Sequence, residues 1–463
     1  MSSIASVFHA YDIRALSPQE LDATFAERLG RVLAEVRKPK RVMVARDMRA
    51  TSEDLEKALM KGLTEQGVDV TQIGLSSTPM FNVTMGLAEG RYDLGVMVTA
   101  SHNPAEYNGF KFTDGAVYPI GQGTGMEAIR DRYLSEDPFV VVNKQGTVDR
   151  DMGALKRYLD HIFSFVDTAS LPSMKIAVDA GNGMAGLILP ELQKRLPQIE
   201  MLPLYWEMDG RFPNHEANPI KSETLVDVSR MVRDAGCALG VSYDGDGDRI
   251  GFVDESGNQI TGDLLTALLA EPLLKTHPDC LVLYDVRCSW AVPESIHAHG
   301  GKSEMTRVGH AFIKRQLRDS GAIFGGELSM HFYFKDLWGV ESGDYALLLL
   351  LQLLAQTGKS LSELAQPLQK YAHSGEINSR VEDPGTVISS IEEAYQNAAS
   401  QITTIDGIRM DFGVDEDGSK SDDAWWFSLR TSNTEPVLRL IVEGVTEQVM
   451  TAKRDELLAM IRS

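Results

Sequence analysis

The 463-residue sequence has few cysteines and no recognisable export signal. Its three cysteines, Cys237, Cys280 and Cys288, cannot all pair and lack the spacing of a zinc site. A chain of this kind is typical of a reducing compartment. The N-terminus also lacks a basic region followed by an apolar stretch, so no signal peptide is predicted. These absences together predict a cytoplasmic protein.

The chain also lacks an excess of positive charge and any apolar run long enough to cross a membrane. Its 45 Lys and Arg stand against 66 Asp and Glu, a formal net charge of −21. This charge excludes a nucleic-acid-binding protein, which needs a basic surface, so any anionic substrate must be attracted by locally placed Arg and Lys. The most apolar run, 346–355, predicts a buried helix and no membrane contact.

Short apolar strands alternate with amphipathic helices over most of the chain. The pattern predicts strands over 41–45, 68–73 and 94–98, with a helix over 52–66. Ser17-Pro18 predicts the start of a helix over 18–36. Such alternation is typical of a layered α/β domain, and 463 residues are enough for three or four domains.

The α/β pattern occurs three times. Buried strands that end on an aspartate cover 41–47, 175–179 and 280–286, and each is followed by a second strand that ends in a polar loop, at 92–101, 235–244 and 320–327. We interpret this order as a triplicated unit, the alternative being chance similarity between ordinary strand ends.

The C-terminal part has a different order of elements. Strands are predicted at 378–381, 407–412, 425–429 and 437–442, with helices at 387–400 and 446–461. This order predicts a separate α+β domain. The predicted domains are 1–150, 151–256, 257–370 and 371–463.

Asp244-Gly-Asp-Gly-Asp-Arg249 is the strongest local motif. Three carboxylates separated by glycines converge when the backbone curls around one point, and such oxygen ligands suit Mg²⁺ or Ca²⁺. An EF-hand is the competing interpretation. It needs glycine where Arg249 stands and helices where the flanking sequence predicts strands. A metal site between two strands is therefore predicted.

Three further loops follow predicted strands. Ser101, beside His102 and with Lys111 downstream, is a candidate activated nucleophile, although an ordinary polar turn fits these residues equally. The loop Glu327-Leu-Ser-Met-His331 offers donors and acceptors for sugar hydroxyls or is a polar loop without function. Arg430-Thr-Ser-Asn-Thr-Glu-Pro436 suits a phosphate group better than a helix cap, because a strand follows it.

With Tyr11-Asp12-Ile13-Arg14, these motifs resemble in their order the α-D-phosphohexomutase family, in its phosphomannomutase/phosphoglucomutase branch. The resemblance extends from Tyr11 to Pro436. It implies an α/β fold of three similar mixed α/β-sheet domains and a C-terminal α+β, TBP-like domain, with the active site in a central cleft. The four domains would carry, in order, a phosphoserine loop, a metal-binding loop, a sugar-binding loop and a phosphate-binding loop.

The resemblance also implies roles for individual residues. Ser101 would carry a phosphoryl group, and an oxygen of that group would join Asp244, Asp246 and Asp248 in holding Mg²⁺. Around the reacting phosphoryl would stand Arg14, His102, Lys111 and Arg249, with Lys111 or His310 moving a proton. The implied substrate-binding residues are Tyr11, Arg287, Glu327, Ser329, His331, Arg430, Ser432, Asn433 and Thr434.

The implied reaction interconverts hexose 1- and 6-phosphates through a hexose 1,6-bisphosphate, which also serves as activator. Mannose phosphate is the first choice of substrate and glucose phosphate the second. Ala15, Met330 and Arg287 depart from the family's usual residues, and Met330 is expected to narrow the sugar pocket. A metal-dependent sugar-phosphate phosphatase and a calcium-dependent sugar-binding protein are the alternative functions. The fourth domain is expected to move about a hinge near residue 370.

Overall fold

The structure is a computed structural model that describes residues 4–431 and 437–462. Four β-sheets follow one another along the chain. The first contains β1 (Ile13–Leu16), β2 (Arg41–Arg46), β3 (Asp69–Leu75), β4 (Leu94–Val98), β5 (Tyr107–Asp114) and β6 (Val148–Arg150). Its helices are α1 (Ala23–Arg37), α2 (Ser52–Glu65), α3 (Thr78–Leu87) and α4 (Met126–Leu134).

The second and third sheets have five strands each. The second contains β7 (Met174–Asp179), β8 (Ile199–Leu204), β9 (Leu239–Tyr243), β10 (Ile250–Val253) and β11 (Gln259–Ile260), with helices α5 (Ala154–Phe163), α6 (Ala185–Arg195) and α7 (Val226–Ala235). The third contains β12 (Leu281–Asp285), β13 (Lys302–Thr306), β14 (Phe324–Gly326), β15 (Phe332–Phe334) and β16 (Val340–Glu341). Its helices are α8 (Gly262–Thr276), α9 (Ala291–Ala298), α10 (His310–Ser320), α11 (Gly343–Thr357) and α12 (Leu361–Ala365).

The fourth sheet is antiparallel. It contains β17 (Ala372–His373), β18 (Ile377–Arg380), β19 (Gln401–Thr403), β20 (Ile408–Val414), β21 (Lys420–Thr431) and β22 (Val437–Gly444), with helices α13 (Pro384–Tyr395) and α14 (Glu447–Ile461). Short 3₁₀ helices cover Ile4–Val7, Thr168–Ser170, Ser222–Leu225, Lys335–Leu337 and Gln366–Leu368. The predicted fold class, three mixed α/β sheets followed by an α+β domain, is confirmed.

The first three sheets repeat one strand order. The core of each is β5-β4-β2-β3, then β10-β9-β7-β8, then β15-β14-β12-β13. In each core the last three strands are parallel, and the first returns antiparallel as the second arm of a hairpin. The triplication predicted from the sequence is therefore confirmed. Its consequence is that the β4–β5, β9–β10 and β14–β15 hairpin loops occupy equivalent places.

The apolar runs form the interior of these sheets. Every residue of β4 and β9 is buried, as expected for strands covered on both faces. The apolar run 346–355 lies in α11, which is buried along most of its length. Within the described ranges, no helix combines the length and apolar content that crossing a bilayer requires.

Some predicted boundaries are wrong. Helix α1 begins at Ala23, because the Asp22 side chain accepts a hydrogen bond from the N–H of Phe25 and caps the helix there, while Pro18 lies in the preceding turn. Helix α13 begins at Pro384, after the capping residue Asp383, and not at 387. Strand β21 extends beyond the predicted 425–429 at both ends.

The fourth sheet has two different faces. One face packs apolar residues such as Phe427 against α13 and α14. The other carries polar residues at alternate positions, among them Arg409, which is buried and donates to the carbonyls of Val286 (2.8 Å) and Cys288 (3.1 Å) in the third domain. This polar face therefore contacts the loop that follows β12.

Asp344 forms a buried polar junction at the start of α11. Its carboxylate accepts a hydrogen bond from the hydroxyl of Tyr158 on α5 (2.7 Å). Burial raises the pKa of Asp344 to about 6, and the Tyr158 hydroxyl opposes that rise only in part. The folded protein therefore binds this proton more tightly than the unfolded chain does, and the free energy of unfolding decreases as pH rises through this pKa.

We predict that Asp344→Asn removes this pH dependence. Relative to the wild type, the variant should gain about 3 kcal/mol of stability between about pH 4 and pH 8, with the gain complete just above the raised pKa. Thermal and urea unfolding across this range measure it. The matched control is Asp319→Asn at an exposed position of α10. A stability difference from the wild type that is the same at every pH would contradict the prediction.

Candidate active site

Ser101 lies in the β4–β5 loop and is almost completely buried, at 3% exposure. Its backbone is left-handed, with φ 51°, which is uncommon for a residue with a side chain. Its Oγ lies 3.1 Å from Oδ2 of Asp244 and 3.2 Å from Nδ1 of His102. Burial, with the charges of Arg249 and Arg14, keeps the pKa of His102 low, so its ring is neutral.

A buried arginine, Arg49, holds the Ser101 loop through hydrogen bonds to its backbone. The guanidinium donates to four backbone carbonyls of the loop, those of Ser101 (2.8 Å), Asn103 (2.6 Å), Pro104 (2.7 Å) and Tyr107 (2.9 Å). Four carbonyls on one rigid, planar group fix the path of the loop, including the left-handed turn at Ser101. Arg49 is therefore part of the site's framework.

Sequence reasoning missed Arg49. The only indication of its role in the sequence is its place shortly after Asp47, at the end of β2. This strand pairs with β4, which leads to Ser101. The ring of Phe212, from the second domain, lies 5.0 Å from the Arg49 guanidinium carbon. The loop is thus supported by residues of two domains.

The acidic loop joins the antiparallel strands β9 and β10, as predicted, and has no EF-hand helices beside it. Asp244, Asp246 and Asp248 are all buried, and one carboxylate oxygen of each lies within 4.8 Å of the others. In the part of the chain that the structure describes, Oδ1 of Asp246 has no hydrogen-bond partner. A buried, unpaired carboxylate oxygen beside two further carboxylates fits a hard cation such as Mg²⁺.

Repulsion inside the acidic loop is partly neutralised by Lys111 of β5. Its Nζ lies 2.7 Å from Asp246 and 2.8 Å from Asp248. Burial opposes the lysine's charge, but the two carboxylates raise the pKa of Lys111 well above its usual range. These two ion pairs of Lys111 do not include Asp244, and burial together with Asp248 and Asp246 raises the pKa of Asp244. A divalent cation would stabilise the charged form of the loop.

The acidic loop also docks onto the first domain. Thr78, at the start of α3, donates its hydroxyl to Oδ2 of Asp246 (2.5 Å) and its N–H to the carbonyl of the same residue (2.9 Å). Sequence reasoning missed Thr78 because nothing in its own neighbourhood marks it. This contact fixes the metal loop relative to Ser101.

The third hairpin loop places Glu327 and His331 against the acidic loop. His331 lies between two carboxylates, with Nδ1 3.1 Å from Glu327 and Nε2 3.3 Å from Asp248. A β-bridge pairs His331 with Arg249, whose Nε also lies 3.1 Å from His331 Nε2. Burial opposes ionisation of Glu327, yet His331 lowers its pKa. Ser329 lies on the same loop, 3.3 Å from His331.

Met330 has a left-handed backbone, with φ 66°. Its side chain is buried in a core cluster that the first three domains share. That Met330 narrows the sugar pocket stays a prediction.

Residues at the start of the first domain contact both the Ser101 loop and the third domain. Arg14 of β1 donates to Oδ1 of Asn103 (2.7 Å), next to the Ser101 loop. Tyr11 packs edge-on against His310 at the start of α10, with 5.3 Å between ring centroids. His310 is half-buried, and its Nδ1, which is shielded from solvent, has no hydrogen-bond partner among the residues described. Burial, aided by the charge of Lys314, lowers its pKa.

A second group of charged residues lies at the junction of the third and fourth domains. Arg287 forms a bidentate pair with Asp285, and its Nη1 lies 3.6 Å from Glu376. Arg430, near the end of β21, lies 3.2 Å from the same Glu376. Ser432, Asn433 and Thr434 lie outside the described residues.

The predicted residues therefore form two groups. The first surrounds Ser101 and contains Arg14, His102, Lys111, Asp244, Asp246, Asp248, Arg249 and His331. The second is cationic and contains Arg287 and Arg430. The Glu327 loop stands between them, because Asp285, the partner of Arg287, also accepts a hydrogen bond from Leu328 N (2.9 Å).

Four family models match the chain in order. Residues 5–138, 156–257 and 261–371 match phosphoglucomutase/phosphomannomutase alpha/beta/alpha domains I, II and III, and residues 376–460 match the C-terminal domain of the same family. Together they cover most of the described chain.

The chain is similar over its whole length to proteins of this family. It is 37% identical to a phosphomannomutase of Escherichia coli, covering 98% of this chain and 99% of that protein. It is 38% identical to phosphohexose mutases of Xanthomonas campestris pv. campestris, covering 94% of each. A crystal structure of a phosphoglucomutase/phosphomannomutase family protein from Burkholderia thailandensis superposes with a TM-score of 0.86 at 32% identity, covering 100% of this chain and 98% of that one.

We predict that the acidic loop binds Mg²⁺. Mg²⁺ should raise the thermal midpoint of the wild-type protein. Asp246→Asn should weaken the Mg²⁺ affinity, measured by calorimetry, at least about tenfold, because mutation of a residue that only hydrogen-bonds to a metal ligand already has an effect of that size. The control is Asp234→Asn, an exposed position on α7 of the same domain. Unchanged Mg²⁺ affinity in Asp246→Asn would contradict a site at this loop.

We also predict that Arg49→Lys loosens the Ser101 loop. A single ammonium cannot span the four carbonyls that the guanidinium holds. Hydrogen exchange should increase in peptides covering 99–108 and remain unchanged in the core of the fourth sheet. Arg91→Lys, at an exposed position of the same domain, is the control. Wild-type protection of 99–108 in Arg49→Lys would show that the loop is held by other contacts.

Proposed function

The chain belongs to the phosphoglucomutase/phosphomannomutase family, the α-D-phosphohexomutases, and is a phosphohexomutase; from this premise we propose that it interconverts mannose 1-phosphate and mannose 6-phosphate through a phosphorylated Ser101. The observation that carries the proposal is the position of Ser101 Oγ, 3.1 Å from Asp244 and beside a neutral histidine. A buried hydroxyl next to a cation site and a neutral base suits a group that repeatedly gains and loses a phosphoryl.

The first transfer breaks the bond between phosphorus and Ser101 Oγ and forms a bond from phosphorus to the free hydroxyl of the sugar. Arg14, which donates to Asn103 in the Ser101 loop, and Arg249, whose backbone N–H donates to Asp244, would supply positive charge to the phosphoryl oxygens. The geometry is fixed beforehand by Arg49, so little reorganisation accompanies the transfer.

Asp244, Asp246 and Asp248 would hold Mg²⁺, with an oxygen of phosphorylated Ser101 in the same shell. When bound, the metal neutralises charge on the transferring phosphoryl group. Lys111 fixes Asp246 and Asp248, and Thr78 also fixes Asp246, so this part of the site keeps its orientation toward Ser101.

The proton of the attacking sugar hydroxyl needs a base, and the two candidates differ in charge. Lys111 is held in its charged form between Asp246 and Asp248, so we assign it an electrostatic role. His310 is neutral and its Nδ1 has no hydrogen-bond partner in the described chain, so we propose it as the proton acceptor. The Ser101 oxygen that leaves in the first transfer takes up a proton from water, and in the second transfer Nδ1 of His102, 3.2 Å from that oxygen, accepts this proton as Ser101 attacks. The protonated His310 then returns its proton to the leaving sugar oxygen.

The remaining residues bind the sugar phosphate. Glu327 and Ser329 would grip two ring hydroxyls, with His331 beside them. Arg287 and Arg430, together with Ser432, Asn433 and Thr434, would hold the phosphate that does not react, and Tyr11 would close the cleft over it. After the first transfer the hexose 1,6-bisphosphate turns around, and its other phosphate returns to Ser101.

A metal-dependent phosphatase would share Ser101 and the acidic loop. It would not need a second cationic pocket, and the junction that contains Arg287 and Arg430 therefore favours the mutase. Hexose 1,6-bisphosphate is proposed as the activator because it phosphorylates an enzyme that has lost its phosphoryl group. The domain boundaries near 150, 256 and 370, and the hinge at the last of these, stay predictions.

We predict that Ser101→Ala loses nearly all mutase activity, by a factor of roughly 10³ or more, because both transfers pass through this oxygen. A coupled assay with mannose 1-phosphate or glucose 1-phosphate, Mg²⁺ and a trace of hexose 1,6-bisphosphate measures it and ranks the two sugars by kcat/KM. The control is Ser135→Ala, at a half-buried position that follows α4 in the same domain.

The product identifies the function. A 6-phosphate product that disappears in Ser101→Ala agrees with the mutase. Release of inorganic phosphate alone would mean a phosphatase, and binding of sugar and Ca²⁺ without turnover would mean a binding protein. A faster reaction with glucose phosphate would overturn the mannose preference.

A further inference from the structure

Two arginines stand directly opposite each other on the polar face of the fourth sheet. Arg430 of β21 pairs in register with Arg439 of β22. Like charges at such positions destabilise a sheet, because their side chains leave the strands close together on one face. The fold therefore needs an anion between these two guanidinium groups whenever substrate is absent.

The Glu376 side chain, just before β18, supplies that anion. Its Oε1 lies 3.1 Å from Nη1 of Arg439, and its Oε2 lies 3.2 Å from Nη2 of Arg430. The same Oε2 lies 3.6 Å from Nη1 of Arg287, across the boundary with the third domain. One carboxylate thus faces three guanidinium groups. Burial opposes its charge, but Arg287, Arg430 and Arg439 lower the pKa of Glu376.

Asp406 lies near the other terminal nitrogen of Arg430. Its Oδ2 lies 3.9 Å from Nη1 of Arg430, and its Oδ1 lies 3.7 Å from Nε of Arg307. Both terminal nitrogens of Arg430 therefore face a carboxylate. A phosphate that binds Arg430 in a bidentate manner has to displace Glu376 from Nη2.

We propose that Glu376 occupies the place of the non-reacting substrate phosphate in the ligand-free enzyme and competes with that phosphate for Arg430, Arg439 and Arg287. The inference rests on the proposed function, since it takes Arg287 and Arg430 as phosphate-binding residues, and it adds Arg439 to them because the same carboxylate holds all three. Glu376 then sets the affinity of the site and contributes nothing to the bond-breaking step.

The competition between Glu376 and phosphate assists the proposed reaction. The bisphosphate has to release one phosphate from the arginines, turn around and bind with the other. A pocket of uncompensated arginines would hold the first phosphate tightly and slow the turn. A tethered carboxylate lowers the free-energy cost of release, because it returns to the arginines as the phosphate leaves.

The test is Glu376→Gln, which keeps the shape of the side chain and removes its charge. Calorimetric titrations with mannose 6-phosphate, and separately with inorganic phosphate, are made in the Ser101→Ala background with Mg²⁺ present, so that no turnover occurs. We expect both ligands to bind at least about tenfold more tightly, because phosphate then no longer has to displace a charged carboxylate from the arginines. A tenfold change corresponds to about 1.4 kcal/mol, which is less than the attraction between two unit charges a few ångströms apart at an effective dielectric constant near 20. In the enzyme with Ser101 intact, KM and kcat should both fall.

Two comparisons complete the test. Glu393→Gln makes the same change of charge at an exposed position of α13, the helix packed on the opposite face of the sheet, and should leave both affinities unchanged. If Glu376→Gln lowers the thermal midpoint enough to prevent titration, Asp406→Asn replaces it, with a smaller gain in affinity expected.

Weaker or unchanged phosphate binding in Glu376→Gln would overturn the proposal, because Glu376 would then orient the arginines and not compete for them. Failure of the proposed function has a different signature. In that case mannose 6-phosphate would not bind to either protein, while inorganic phosphate would still bind more tightly to the Glu376 variant.

Discussion

Three buried carboxylates at one hairpin loop are the constraint on which the rest of the structure depends. Asp244, Asp246 and Asp248 repel one another in a place that water does not reach, so the fold has to surround them with donors and positive charge. Lys111 from β5, the Thr78 hydroxyl from α3 and the Arg249 backbone N–H do this from two domains. The same contacts bring Ser101 within reach of Asp244.

The triplicated unit explains why the chemistry is concentrated in one cleft. Each unit supplies the equivalent hairpin loop, and in the proposed function the three loops serve as the nucleophile loop, the metal loop and the sugar-binding loop. Adjacent loops are joined by specific bonds, Ser101 to Asp244 and Asp248 to His331. The fourth sheet adds the arginines that the three copies lack, and Arg409 fixes its polar face against the third domain.

The sequence predicts the parts of this arrangement that are local. A few consecutive residues are enough to recognise an apolar strand, the polar loop that follows it and an acidic loop separated by glycines. The structure places these loops between the strands of hairpins, as expected. Arg49, Thr78 and Glu376 were not predictable in this way, because each acts on residues far away in the chain. A buried arginine that donates to backbone carbonyls leaves no motif, since its partners are carbonyls that every residue has. The start of α1 was mispredicted because Pro18 competed with Asp22 as the first signal of a helix.

The most direct test of the account follows the phosphoryl group itself through a single turnover. Enzyme labelled at Ser101 with ³²P is mixed with an equal amount of mannose 6-phosphate and Mg²⁺ and quenched at successive times. The account predicts that the label leaves Ser101 and passes through mannose 1,6-bisphosphate before it divides between substrate, product and Ser101. Label that appears first in inorganic phosphate, or that stays on the protein while mannose 1-phosphate accumulates, would contradict it.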